Sequence, residues 1–317
     1  MKKFIALICA LVFVGVLAAC DAPAADDGKY VIGICQFTPH PALDAATQGF
    51  KDAVTEALGA ENVTFDFQDA ANESTNCSTI INGFVSANVD LIMANATPAV
   101  AAAYNATETI PILGTSVTEY GVALGLNKFE GGINVSGTSD LADLNMQAQM
   151  VIDWVPGAQK VALLYCNAEA NSKYQVDVVK AYLESKNLEC KLFGFADTSD
   201  MMSVTTEAVN YADAIYIPTD NTVANYATAI GNICIPAGVP VIAGESGICS
   251  GCGIATMSID YYDLGVLTGE MAVEILRDGA NIEQMPIRYV QDVKYLYNED
   301  VCNALNIEPL EGYEKLN

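Results

Sequence analysis

Apolar positions along this chain change period repeatedly, and the changes mark out alternating strands and helices. YVIGIC, from Tyr30, is a continuous apolar run of strand length. Leu43, Ala46, Phe50, Ala53, Val54, Ala57 and Leu58 then recur at helical spacing and stop at Gly59. VTFDF (63–67), VDLIMA (89–94) and IPILG (110–114) read as further strands, with helical stretches at 74–87 and 97–105 between them. After GGINVSG (131–137) a second series begins: helix 140–155, strand 160–165, helix 171–187, strand 189–195, a weaker helix at 200–210, strand 213–217, helix 221–233 and strand 239–244. Beyond Ser258, residues 262–279 form one amphipathic helix ended by Gly279, and IRYVQDVKYLY (287–297) reads as a single strand. Strands separated by helices of this length predict an α/β protein, with parallel sheets flanked by helices on both faces.

The pattern also repeats. VDLIMANATPAVA (89–101) matches ADAIYIPTDNTVA (212–224) at constant offset, and IPILGTS (110–116) matches VPVIAGES (239–246) with one extra residue. One α/β unit therefore occurs twice, which predicts two similar lobes. The expected division is 30–134 plus 259–288 for the first lobe and 135–258 plus 289–317 for the second, with three crossings of the chain between them.

The start of the chain is different in kind. Lys2 and Lys3 precede an apolar run from Phe4 to Leu17, followed by Ala18, Ala19 and Cys20. A basic start, a short apolar core and small residues before a Cys predict a lipoprotein signal peptide over 1–19, acylation of Cys20 and a tether over 20–29. An acyl chain holds a soluble domain at a membrane without spanning it.

Composition narrows the partners. Without the signal, 12 Lys and Arg face 39 Asp and Glu, a net of −27. That sign argues against nucleic acid, and the membrane is expected to be met through the anchor alone. Of the ten Cys, Cys9 leaves with the signal and Cys20 is the lipid site. The other eight suggest zero to two disulfides with no pairing assigned. With His40 as the single His, no metal site is expected, and nothing points to a cofactor. Catalysis is not expected either, since no nucleophile elbow, phosphate loop or His-centred cluster is present.

In open parallel sheets, ligands bind beyond the carboxyl ends of the strands. In the first lobe these ends carry Asn95, Ala96 and Thr97, and then Thr115 and Ser116. Thr97 is placed to cap the following helix, with Pro98 as that helix's first residue. The repeat puts Asp220, followed by Asn221, and Glu245 at the matching ends of the second lobe. Neutral donors on one side and acids on the other suit a small zwitterion. Gln36 and Phe37 follow the first strand of one lobe, and Asn171 and Ser172 follow that of the other, opening on the same face. No Lys or Arg sits at these ends, which disfavours a phosphorylated ligand.

The set HPALD (40–44), NVSGTSD (134–140), NAEANS (167–172), IPTDNTVA (217–224) and ATMSIDYYDLG (255–265) resembles the ABC-transporter substrate-binding lipoproteins of the tryptophan/tyrosine-binding type. The resemblance runs over nearly the whole mature chain. It implies the type I periplasmic-binding fold, with two Rossmann-like lobes, three hinge crossovers and the ligand between the lobes. It also implies a monomer outside the cytoplasm that captures an amino acid, often aromatic, and hands it to a membrane permease and its ATPase. A sensory receptor, or a binding protein for a nucleoside or a sugar, is the alternative.

Overall fold

The computed structural model describes residues 29–316. The signal peptide, Cys20 and nearly all of the tether lie outside them. The first half of the chain runs β1 (Tyr30–Gln36), α1 (Pro41–Leu58), β2 (Val63–Asp69), α2 (Ser74–Ala87), β3 (Leu91–Asn95), α3 (Thr97–Ala106), β4 (Ile112–Val117), α4 (Tyr120–Leu124) and β5 (Val135–Ser139). The second runs α5 (Leu144–Trp154), β6 (Lys160–Cys166), α6 (Ala170–Ser185), β7 (Glu189–Phe195), α7 (Thr198–Tyr211), β8 (Ala214–Ile217), α8 (Asn221–Ala237), β9 (Val241–Ala243), α9 (Ser246–Cys252) and β10 (Ala255–Ile259). The closing elements are α10 (Tyr261–Leu276), β11 (Arg288–Tyr289), β12 (Val293–Tyr297), α11 (Glu299–Leu305) and β13 (Glu314–Lys315).

Two sheets result, ordered β11-β5-β4-β3-β1-β2 and β13-β12-β10-β9-β8-β6-β7. The run β5-β4-β3-β1-β2 has the same order as β10-β9-β8-β6-β7, so the sequence repeat is a repeat of topology. All pairings are parallel except β10 with β12. Side-chain alternation explains why both faces of each sheet are covered. Ile32 and Ile34 of β1 pack against Phe50 of α1 and Met271 of α10. Cys35, on the opposite face of β1, joins Cys77, Ile81 and Phe84 of α2. In β6, Val161, Leu163 and Tyr165 join one core while Ala162, Leu164 and Cys166 join the other.

Three crossings join the lobes, as expected, but their places shift. β5 hydrogen-bonds to β4, so residues 135–139 belong to the first sheet and the crossing falls at 140–143, beyond the expected join at 134. The helix expected from 140 accordingly starts at Leu144, capped by Asp143. The second crossing is Asp260, between β10 and α10. The strand expected over 287–297 is two strands in different sheets, β11 on β5 and β12 on β10, with residues 290–292 crossing between them. None of the eight described Cys is in a disulfide, and seven of them are buried. Burial pushes the Cys166 and Cys234 thiols up to about 12, so they pack as small apolar groups rather than nucleophiles.

Helix α10, late in sequence, lies along α1 with the backbones nearly touching. A Cβ on Gly265 would sit 2.0 Å from the Ala46 carbonyl oxygen, and one on Gly49 would sit 2.1 Å from that of Tyr262. Only hydrogen fits at either place. Gly265→Ala is therefore expected to lower stability by about 1–3 kcal/mol by overpacking, read from denaturant unfolding. An unchanged midpoint would mean the helices separate without cost.

Candidate functional site

The carboxyl ends of the strands in the two sheets meet across a narrow gap, and polar side chains from both lobes fill its rim. At one side the first turn of α8 reaches the first lobe. Asn221 Oδ1 lies 3.2 Å from His40 Nε2, Thr222 Oγ1 lies 3.3 Å from Asn72 Oδ1, and Asn225 donates to Thr38 Oγ1. Asn72 is presented by a turn in which Ala71 and Asn72 both take left-handed backbone angles, φ 53° and 65°. This turn of α8 is itself held rigidly. Glu169 accepts from the backbone N–H groups of Asn221 and Thr222 and from both of their side chains. Directly after the latch the helix kinks at Tyr226, φ −119°.

The expected site residues divide into groups. Asp220 accepts from the N–H of Cys166 and of Val223, and Glu245 from the N–H of Gly247 and of Ile248. Every oxygen of the two acids is thus occupied: Glu245 caps α9 with both, while Asp220 caps α8 with one and accepts from the end of β6 with the other. Burial, with Glu169 close by, pushes the Asp220 carboxyl well above the usual range. Ser172 bonds to Asp220. Gln36 is taken up within the first lobe, donating to Thr38 O and Asp44 and accepting from Thr47. Phe37 packs in the core of that lobe. Thr115 accepts from Thr138, which also bonds Thr268 of α10, so its hydroxyl points to the far side of the sheet. Thr97 does not cap α3. It is the first helical residue, and the cap is Ala96, held at φ 89°. Thr97 opens on a cavity of about 280 Å³ that Ala168 and Ala170 of the second lobe also line. It shares no hydrogen bond with Glu245 among the described residues.

Four buried oxygens at the strand ends and the crossing have no partner: Asn95 Oδ1, Ser116 Oγ, Asn171 Oδ1 and Asp140 Oδ1. The Asn95 and Asn171 amide nitrogens are anchored, to Leu43 O and Thr47 and to Thr219 O and Glu169, which fixes where their oxygens point. Ser116 stands at a bulge in β4 with φ 55°, a left-handed angle uncommon for Ser.

Asp140 and Tyr261 escaped the sequence reading. Asp140 follows β5 at the first crossing and is 6 % exposed; Tyr261 OH donates to its Oδ2 at 3.1 Å. Burial pushes the Asp140 carboxyl up to about 6, Glu245 adds to the rise, and hydrogen bonds from Tyr261 and Thr118 oppose it. On the second lobe Gln175 donates toward Thr118 Oγ1 at 3.4 Å and binds both the N–H and the carbonyl of Thr219. The available signal was position: both residues fall in the motifs 134–140 and 255–265 that carry the family resemblance.

Residues 31–313 match the family model for ABC transporter substrate binding proteins. The chain belongs to that family. It is 35 % identical, over 98 % of its own length and 94 % of the relative's, to a tyrosine-binding protein of Clostridioides difficile. Among solved structures it resembles a Streptococcus pneumoniae ABC domain in complex with L-Trp, with TM-score 0.86, 28 % identity and coverage of 90 % and 99 % of the two chains. A ligand-free, open substrate-binding protein with adhesive properties from Clostridium difficile superposes less well. Its TM-score is 0.69 despite 35 % identity and coverage of 91 % and 99 %. The nearer sequence thus gives the poorer superposition. With the hydrogen bonds spanning the gap, this identifies the present arrangement as closed. The protein is the substrate-binding component of an ABC transporter, with the type I fold expected from the sequence, and substrate-binding components work outside the cytoplasm.

The α8 latch makes a separable contribution to closure. A neutral hydrogen bond is worth about 1 kcal/mol net, so His40→Ala with Asn225→Ala should weaken solute binding roughly tenfold or more. Small-angle scattering of the solute-free variant should show a larger radius of gyration than the parent. Equal radii and equal affinities would assign the latch no part in closure.

Proposed function

We propose that this substrate-binding protein captures an aromatic amino acid, tyrosine or tryptophan, by closing its two lobes on it, and delivers it to a cognate permease and ATPase. One observation carries the reading: the lobes are arranged as in a relative that holds L-Trp, and the 35 % identical relative is a tyrosine-binding protein. The unpartnered oxygens of Asn95, Ser116 and Asn171 support a small polar solute between the lobes, beside the residues expected there. In this reading 30–139 with 261–289 moves as one body and 144–259 with 293–316 as the other. Closure is favoured because the solute contacts both bodies only in the closed state. Cys20 carries the acyl anchor, and the protein works as a monomer at the outer face of the membrane. No helix among the described residues is long and apolar enough to cross a bilayer.

Calorimetry of the full chain, purified in detergent, against the twenty amino acids should give micromolar or tighter binding for L-Trp or L-Tyr and none for acidic or basic residues. Heat with neither aromatic amino acid would remove the assignment. In cells fed a radiolabelled fatty acid, label should enter the protein and disappear in Cys20→Ala. Label retained by the variant would place the modification elsewhere.

A further inference from the structure

Resting on the amino-acid reading above, we infer that Asp140 receives the α-ammonium group of the solute, in place of Asp220 and Glu245, and that lobe closure completes its site. Asp140 sits where the chain first leaves the first lobe, between the two bodies. Its side chain is buried and one oxygen, Oδ1, has no donor. The other acids around the gap differ in this respect. Both oxygens of Asp220, Glu245 and Glu169 are met by backbone N–H groups, all of them in helix first turns except that of Cys166, which donates to Asp220 from the end of β6. Among the described residues no backbone N–H group of a helix first turn donates to the Asp140 carboxyl. The ionisable groups felt at or beside it are Glu245 and the phenols of Tyr261 and Tyr120, none of them cationic. A buried carboxylate with an open acceptor and no counter-charge calls for a small cation with N–H donors. An α-ammonium group has both, and a neutral sugar has neither.

The link to closure follows from the hydrogen bonds around Asp140. Tyr261 donates to it, and Thr118 stands beside it. Across the gap Tyr261 stands beside Thr219, and Gln175 donates toward Thr118 and binds Thr219. The result is a ring of contacts, Asp140–Tyr261–Thr219–Gln175–Thr118, that passes between the lobes twice. Opening breaks the Tyr261–Thr219 and Thr118–Gln175 contacts and lets water reach the carboxylate. Closure restores the ring and excludes that water, so the attraction between Asp140 and an ammonium acts at low dielectric only when the lobes are shut. Tyr261 is a positioning residue here: its hydroxyl orients Asp140 and favours its charged form.

The test is calorimetry of the full chain with L-Trp and L-Tyr between pH 4.5 and 7, a range over which the solute's ammonium stays charged. Only ionised Asp140 binds it. Affinity should therefore be steady near pH 7 and fall, approaching tenfold per pH unit, once the pH drops below a midpoint set by the Asp140 pKa of the solute-free protein. That pKa lies between the ordinary carboxylate value and the value of about 6 that burial gives in the closed arrangement. Asp140→Asn should weaken binding at pH 7 by a hundredfold or more and flatten the profile, with circular dichroism unchanged. Tyr261→Phe removes a hydrogen bond that lowers the Asp140 pKa, so it should move the midpoint upward; a structural role alone would leave it in place. Should Asp140→Asn fail to fold, the parent profile and the Tyr261→Phe midpoint decide. The assignment is overturned if Asp140→Asn binds within threefold of the parent at pH 7, if the parent profile is flat, or if Tyr261→Phe leaves the midpoint unmoved. A parent that binds neither aromatic amino acid would instead defeat the amino-acid reading itself.

Discussion

Parallel strands all end on the same edge, and at that edge the polar groups that leave the hydrogen-bonding ladder must find partners elsewhere. Here two such edges face each other. Residues from the loops after β1 and β2 take their partners from the other lobe, through Asn221, Thr222 and Asn225 at the start of α8. The oxygens of Asn95, Ser116 and Asn171 take none. The rim is closed by protein on protein, while acceptors further in stay open to a solute. The parallel topology thus dictates both where the lobes touch and where they leave something unmet.

A strongly acidic chain with few cations must also keep its buried carboxylates from destabilising the fold. It does so with backbone. Glu169, Asp220 and Glu245 each lie at the start of a helix and accept from backbone N–H groups, with no Lys or Arg among the described residues bonded to them. These caps also position function, because the Glu169 cap is what holds the α8 latch residues in place. Asp140 lies on a crossing segment rather than a helix start, and burial raises the pKa of Asp140 and of the capping Asp220 alike. Between latch and crossing, α1 and α10 are held together by glycine contacts that join the late part of the chain firmly to the first lobe.

Much of this architecture is legible in the chain. Alternating periods locate β1 to β4 and β6 to β9 within a few residues, and the repeat of 89–101 in 212–224 is the repeat of β3–α3 in β8–α8. The crossings are harder, because a strand's sheet membership depends on its neighbours and not on its own pattern. β5 reads as the start of a new unit and IRYVQDVKYLY as one strand, yet pairing assigns them otherwise. The site was legible in place but not in role. Asp220 and Glu245 stand at the expected strand ends, but a carboxylate before a helix cannot be recognised as a cap until its N–H partners are seen. Asp140 ends an unremarkable TSD run and becomes distinctive only through its burial and through Tyr261, 121 residues away.

The three short crossings limit how the two bodies can move. A single covalent link would leave them free to swivel about every direction, and a second would reduce that freedom to rotation about a line. A third, carried by 290–292 beside 140–143 and Asp260, resists sliding along that line. What remains is close to one angle of opening. Whatever molecule recognises the loaded form has only that angle to read, so a solute that fits poorly enough to hold the lobes a few degrees apart is presented as if the protein were empty.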